Sequence, residues 1–262
     1  MKTSQLTTFV LVFFIFLAKS QSYILPLDFI LKKATQKSGH SLISVDYEVT
    51  FKNDKEQIKV FENWFIDGDR NLKVIATGAD KYQSNIRLST LFNSKNKIQV
   101  AGKVRNTYPI SSEFFQKIPF TREKDDLVEF LKTNKIATST KLSRVDGRVC
   151  IAVGESSVDN TVYPMIWFDQ DDFLIRKIRL PNDIEISFSE YFKVSEDFWL
   201  AKKQVINWGK NSATVVLKGY ATKLNNKTQH FAIQNFDQPT EVSFAESNPL
   251  TQSVEEFYKR FR

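Results

Sequence analysis

Few residues in this chain are suited to chemistry. Asp169, Asp171 and Asp172 stand together in Asp169-Gln170-Asp171-Asp172, Cys150 is the single cysteine, and His40 and His230 are the two histidines. Clustered carboxylates suit a cation or an acid/base pair. A calcium loop of the EF-hand kind needs Asp or Asn at its first, third and fifth positions and Gly at its sixth, but the fifth and sixth positions counted from Asp169 are Phe173 and Leu174. Paired catalytic carboxylates need one desolvated member. Here Ile166 and Phe168 before the cluster, and Phe173 and Ile175 after it, read as strands. That makes the aspartates the polar tip of a hairpin, where Asp bonds its own backbone. Cys150, within Val149-Cys150-Ile151-Ala152-Val153, reads as a small buried thiol. With no nucleophile–base spacing, glycine-rich phosphate loop or metal-ligand spacing, no catalytic residue, metal site or cofactor is expected, and the chain reads as a binding protein rather than an enzyme.

The elements that would carry a binding site are clearer. The chain has 262 residues, 42% of them hydrophobic and 26% charged, which suits a globular domain large enough for a sizeable core. Lys2, the apolar run Phe9–Ala18 and the small residues around Ser20 form a secretory signal, cleaved after about Ser20. The run is too short to span a bilayer, so no integral membrane protein is expected. Cleavage removes Lys2 and Lys19 and lowers the formal charge from +7 to +5. The basic residues are spread singly along strands, which argues against a nucleic-acid partner.

Leu27, Ile30, Leu31 and Ala34 recur at helical spacing after Pro26 and predict a short amphipathic helix. Ile43, Val45, Tyr47, Val49 and Phe51 alternate with polar residues, and Ile58, Val60, Trp64 and Ile66 share one parity after the turn at Asn53-Asp54-Lys55-Glu56. Hairpin patterns repeat through Val100. Residues 111–135 break the alternation: Ser112–Phe120 and Arg122–Asn134 read as two inserted helices, presenting Phe114, Phe115, Ile118, Leu127, Phe130 and Leu131. Strands resume from Val149 to Tyr220, and Phe257, Tyr258 and Phe261 end the chain at helical spacing. Mature residues 21–262 are therefore expected to form one mainly β domain with a helical insert. Its 23 phenylalanines suit bulky packing that leaves space between sheet and helices. An apolar cavity of the few-hundred-Å³ kind is expected there.

The succession Tyr163-Pro164-Met165-Ile166-Trp167-Phe168-Asp169, Phe173 to Ile178, Ile184 to Tyr191 and Phe198-Trp199-Leu200-Ala201-Lys202-Lys203 resembles the outer-membrane lipoprotein-sorting superfamily of LolA, LolB and RseB-like proteins. Ala201 stands where many members have proline. The resemblance covers most of the mature chain in element order. It implies a strongly curved antiparallel sheet, a half-barrel, with helices covering the concave face and acyl chains held between sheet and lid. On that basis the lipid-binding residues are Val45, Tyr47, Val49, Ile58, Val60, Trp64, Ile66, Phe114, Phe115, Ile118, Leu127, Phe130 and Leu131. Trp64 to Leu72 is similar to the family segment in which an arginine latches the lid. The match falls on Arg70, which equally suits a solvated turn after Asp67-Gly68-Asp69. The implied role is a periplasmic carrier for the acyl chains of lipoprotein or phospholipid, working with inner- and outer-membrane lipoprotein-sorting proteins. The alternative is an RseB-like lipid-sensing or protein-binding envelope module with no transport role.

Overall fold

The computed structural model describes residues 25–37, 42–67, 71–78, 84–93, 96–101, 104–155, 162–196, 198–222, 224, 227–232, 241–244 and 246–262. The signal segment and Arg70 lie outside the described residues.

Helix α1 (Leu27–Thr35) follows Pro26, whose fixed φ suits a helix start, and buries Ile30 and Leu31. Six strands then form a meander: β1 (Leu42–Lys52), β2 (Gln57–Asp67), β3 (Asn71–Gly78), β4 (Ser84–Asn93), β5 (Asn96–Ala101) and β6 (Val104–Pro109). The β1–β2 turn is closed by the Asn53 carboxamide oxygen, which accepts from the amides of Lys55 and Glu56 at 2.9 and 2.7 Å. Seven more strands follow the insert: β7 (Thr140–Val145), β8 (Arg148–Gly154), β9 (Met165–Asp169), β10 (Ile175–Leu180), β11 (Ile184–Ser195), β12 (Phe198–Trp208) and β13 (Asn211–Ala221). Asp146 and Gly147, both at positive φ, make the two-residue β7–β8 turn whose twist matches that of its strands.

The two meanders join where β1 pairs with β13, giving one antiparallel sheet in the order β6-β5-β4-β3-β2-β1-β13-β12-β11-β10-β9-β8-β7, with β14 (Glu241–Phe244) added beside β4. The sheet curves but does not close. Register shifts at Asp46/Tyr47, Ile175/Lys177 and Lys193/Ser195 supply bends in addition to the intrinsic strand twist. This order explains the insert. β6 and β7 are consecutive in sequence yet lie at opposite edges, so residues 110–139 must travel across the sheet to connect them.

The insert departs from expectation in its first half. Ser112–Phe120 is not an α-helix but a series of turns ending in a 3-10 turn, Ile118–Phe120; only α2 (Lys124–Thr133) is α-helical. The reason lies in burial and proline. Phe114, Phe115, Gln116, Ile118 and Phe120 are all buried, which a helix with one wet face would not permit, and Pro119 cannot donate a helical hydrogen bond. Phe173 and Leu174, read as strand, instead belong to the turn before β10, with Phe173 at φ 58°. Strands β6, β7 and β14 and the short helix α3 (Lys227–Phe231) had no counterpart in the sequence reading.

The last helix, α4 (Pro249–Phe261), begins with a reciprocal cap: the Asn248 side chain accepts from the Leu250 and Thr251 amides, and Thr251 Oγ1 accepts from the Asn248 amide. Its Val254, Phe257, Tyr258 and Phe261 are fully buried in the principal core, with residues from both meanders and the insert.

Candidate functional site

The residues expected to bind lipid converge in the principal core. Val45, Tyr47, Val49, Val60, Trp64 and Ile66 are buried there together with Phe114, Phe115, Ile118, Leu127, Phe130 and Leu131, and half-buried Ile58 packs against the same cluster. Alternation along β1 and β2 turns one parity inward, and their pairing sets Val45 opposite Trp64 and Val49 opposite Val60. From the insert, Phe114 stacks on Phe92 of β4 at 4.1 Å, Phe115 meets Phe188 of β11 and Phe261 of α4, and Phe120 meets Phe198 of β12.

A buried ionic group sits on the β2 side of this core. Glu62 continues the inward row of Val60, Trp64 and Ile66, and its carboxylate accepts from Arg262 Nε at 2.9 and 3.1 Å and from Trp64 Nε1 at 2.9 Å. Both members of the ion pair are essentially solvent-free, at 1% and 0% side-chain exposure. The Arg262 guanidinium lies 4.8 Å from the Trp64 ring and 4.7 Å from that of Phe257. Burial, with the Glu62 carboxylate beside it, pushes the Tyr258 phenol well up. Sequence reasoning passed over Glu62, although a carboxylate on an otherwise apolar strand parity is a legible signal. Arg262 had no such signal, because only the fold brings it to β2.

α4 is tied to the insert as well. Arg260 donates from Nε and Nη2 to Glu113 at 2.9 Å each, and from Nη1 to Glu256 at 2.7 Å. Burial alone would raise the Glu113 carboxyl, but the Arg260 guanidinium and Asn182 more than offset it and hold the group below the ordinary value.

The other side of the concave face has a different character. Where a large cavity was expected, the described residues form a cleft of about 20 Å³, room for a water molecule but not for a chain. It lies where α1 (Ala34), the insert (Ile118, Leu127), the turn before β10 (Phe173) and the sheet (Tyr191, Trp199) meet. Phe29 of α1, 40% exposed, packs edge-on to Phe173 at 5.9 Å, and Tyr191 donates to the Ile175 carbonyl at 2.5 Å.

The aspartate cluster turns out to build this cleft. Asp169 Oδ1 accepts from the amides of Asp171 and Asp172, closing the turn as the sequence indicated. Oδ2 takes Arg176 Nε at 2.9 Å and Nη2 at 2.8 Å. Burial opposes ionisation of Asp169, and the two amides and the guanidinium override it, keeping the carboxyl below its ordinary value. The turn holds Phe173 at its positive φ, an uncommon conformation for a bulky residue. Arg176 also lies 4.9 Å from the Tyr191 ring. Asp169 thus positions cleft residues through its turn and Arg176.

Cys150 is fully buried, and burial followed by the Asp169 charge pushes its thiol up, away from the thiolate needed for nucleophilic work. His230 stacks on Phe65 at 4.7 Å, on the opposite face of β2 from Trp64. His40 lies outside the described residues.

An open, curved antiparallel half-barrel with an insert and helices on its concave face defines the class of fold. The particular fold is LolA/LolB-like. The chain is similar to a putative outer membrane lipoprotein-sorting protein domain from Vibrio parahaemolyticus, at 12% identity and TM-score 0.52, over 78% of this chain and 95% of that one. It is similar to a LolA superfamily protein from Nitrosomonas europaea, at 10% identity and TM-score 0.53, over 77% and 96% of the two chains. A DUF1329 family protein from Desulfovibrio piger gives 10% identity and TM-score 0.52, over 79% and 96%. No protein-family model matches the sequence, and no curated protein does. Among the described residues no helix is long and apolar enough to cross a membrane.

Proposed function

We propose that this protein is a periplasmic carrier that holds the acyl chains of a lipoprotein or phospholipid between the concave sheet and its lid of α1 and insert. The observation that carries the reading is the cleft at the seam of α1, the insert and β10–β12, where apolar surfaces from all three meet without filling the space. A chain entering there would part the seam, and each methylene it buries contributes about 0.8 kcal/mol. Export by residues 1–20 and one domain over residues 21–262 belong to the same proposal. So does a latch role for Arg70.

The half-barrel fold and the apolar seam support lipid binding. The commitment of Asp169 to its turn and the buried Cys150 thiol favour binding over catalysis. A sensing or protein-binding envelope module without transport is the second reading, favoured by the exposed Val128 of α2 and by Phe29, 40% exposed beside Phe173.

Native mass spectrometry of gently purified mature protein should show co-purified lipid. A fluorescent fatty acid should bind saturably and be displaced by competing lipid. Ala34→Trp, placed in the cleft wall, should weaken that binding about tenfold or more while the far-UV circular dichroism is unchanged, since a blocked entry loses several buried methylenes. Clean apo mass with no saturable binding would remove the lipid reading and leave the protein-binding one.

A further inference from the structure

α4 does more than close a core. It places Phe257, Tyr258 and Phe261 on the same sheet surface, around Phe51, Trp64 and Trp208, that supplies the acyl-binding candidates of β1 and β2. Immediately after that aromatic stripe it delivers a cation, Arg262, to the buried Glu62 carboxylate. An apolar stripe ending in a positive group has the layout of an amphiphile with a cationic head.

The fit of the helix is incomplete in polar terms. The Trp208 ring lies 5.5 and 5.6 Å, centroid to centroid, from the Phe257 and Phe261 rings, and among the described residues its Nε1 has no hydrogen-bond partner although the residue is 1% exposed. Neither end of the Gln116 carboxamide has one, although Gln116 is 2% exposed and adjoins Phe115, which meets Phe261. Buried groups of this kind are ordinarily satisfied, and a helix evolved solely as permanent core would be expected to satisfy them. Among the described residues α4 shares no backbone hydrogen bond with the sheet; side chains hold it, through Glu62–Arg262 at one end and Glu113–Arg260 on its flank.

We propose that α4 is a resident plug whose Arg262 occupies a cation-recognition site formed by Glu62 and Trp64, and that the ligand displacing it is a long-chain amphiphile with an ammonium head. The inference rests on the proposed lipid-binding function and deepens it by naming the head group. The physical argument is charge conservation in a dry site. A ligand that removes Arg262 without replacing its charge leaves Glu62 ionised and unpaired among aromatic rings, which is strongly unfavourable, whereas an ammonium restores the pair. The Trp64 face adds a second favourable surface for a cation. The unpaired Trp208 and Gln116 N–H groups are donors suited to the phosphate or ester oxygens of such a head.

Two probes with the same chain and phosphate isolate the head: 1-palmitoyl lysophosphatidylethanolamine and 1-palmitoyl lysophosphatidylglycerol, each titrated below its micelle concentration into the full chain. Binding is read by displacement of a fluorescent fatty acid, and α4 by amide hydrogen exchange over residues 249–262. The ethanolamine lipid should bind about tenfold more tightly or better and lower the protection of 249–262. Glu62→Gln, which removes the charge but keeps the shape, should bring the two affinities within about twofold of each other. Saturable binding with equal affinities, or with unchanged protection of 249–262, would overturn this inference and leave the proposed carrier function standing. Binding of neither lipid would remove both. Should Glu62→Gln fail to fold, the wild-type ratio and the exchange of 249–262 decide the matter.

Discussion

The two sides of the concave face are closed by different means. On the β1–β2 side, a whole helix seats three aromatic rings and a guanidinium on the sheet, and the side chains at its centre are fully buried. On the β10–β12 side, α1 and the insert bury Ile30, Leu31, Phe115 and Phe120 but leave a small cleft, and α1 is tied to the insert by Lys124 to Asp28 at 2.5 Å. The first closure gains from apolar area and ring geometry, both large. The second adds to its apolar burial an exposed ion pair worth little on its own, and its gap forgoes contacts that a filled seam would make. Opening the first therefore costs more than parting the second.

This contrast predicts an order of sensitivities. The largest belongs to Phe257→Ala, which deletes a ring in contact with Phe51, Trp208, Tyr258 and Phe261 and should cost about 3–5 kcal/mol, read as a lowered urea midpoint. A loss under about 1 kcal/mol would mean that α4 is held no more firmly than the seam. Tyr191→Phe comes next. It removes one donor at the cleft and should cost about 1 kcal/mol, while making fatty-acid exchange faster. A cost equal to that of Phe257→Ala would erase the distinction between the two closures.

The smallest effect is expected at the link between them, Glu113–Arg260, which is partly exposed. The Glu113 carboxyl sits below its ordinary 4.5 in the folded protein, so its contribution is fully present above that value and is lost as the pH falls through the lower folded value. Melting temperatures of the wild type and Glu113→Gln should therefore differ at pH 6 and converge as the pH drops below 4.5. A gap that persists at pH 3 would assign Glu113 a packing role in place of an ionic one.

Much of the fold was legible because strand alternation is a local property. β1 was readable residue by residue, its inward side chains apolar from Ile43 to Phe51, and β2 was readable except where Glu62 faces inward and Phe61 outward. The turn at Asp169 was readable for a similar reason, the carboxylate closing its own backbone. The first half of the insert was not. Its five buried residues obey no helical period because they answer to Phe92, Phe188, Phe198 and Phe261, which lie far away in sequence. Edge strands β6 and β7 escaped notice because β6 is largely solvent-exposed and β7 no better than half-buried, so neither carries an alternation to detect.

By itself, the sequence determined the strand content, the inward parity of β1 and β2, the turn role of the aspartates and the aromatic character of the insert, all consequences of short-range periodicity and turn chemistry. The tertiary structure decided which surface covers which. That Arg262 reaches Glu62 across 200 positions, that α4 shares the concave face with the insert, and that a cleft is left at the α1 seam depend on a sheet made continuous where β1 pairs with β13. That single pairing merges two meanders into one curved sheet and sends the insert across it. No local pattern encodes it, because a buried apolar strand offers the same hydrogen-bonding edge to any neighbour, and only the competition among all of them for the concave face selects the partner.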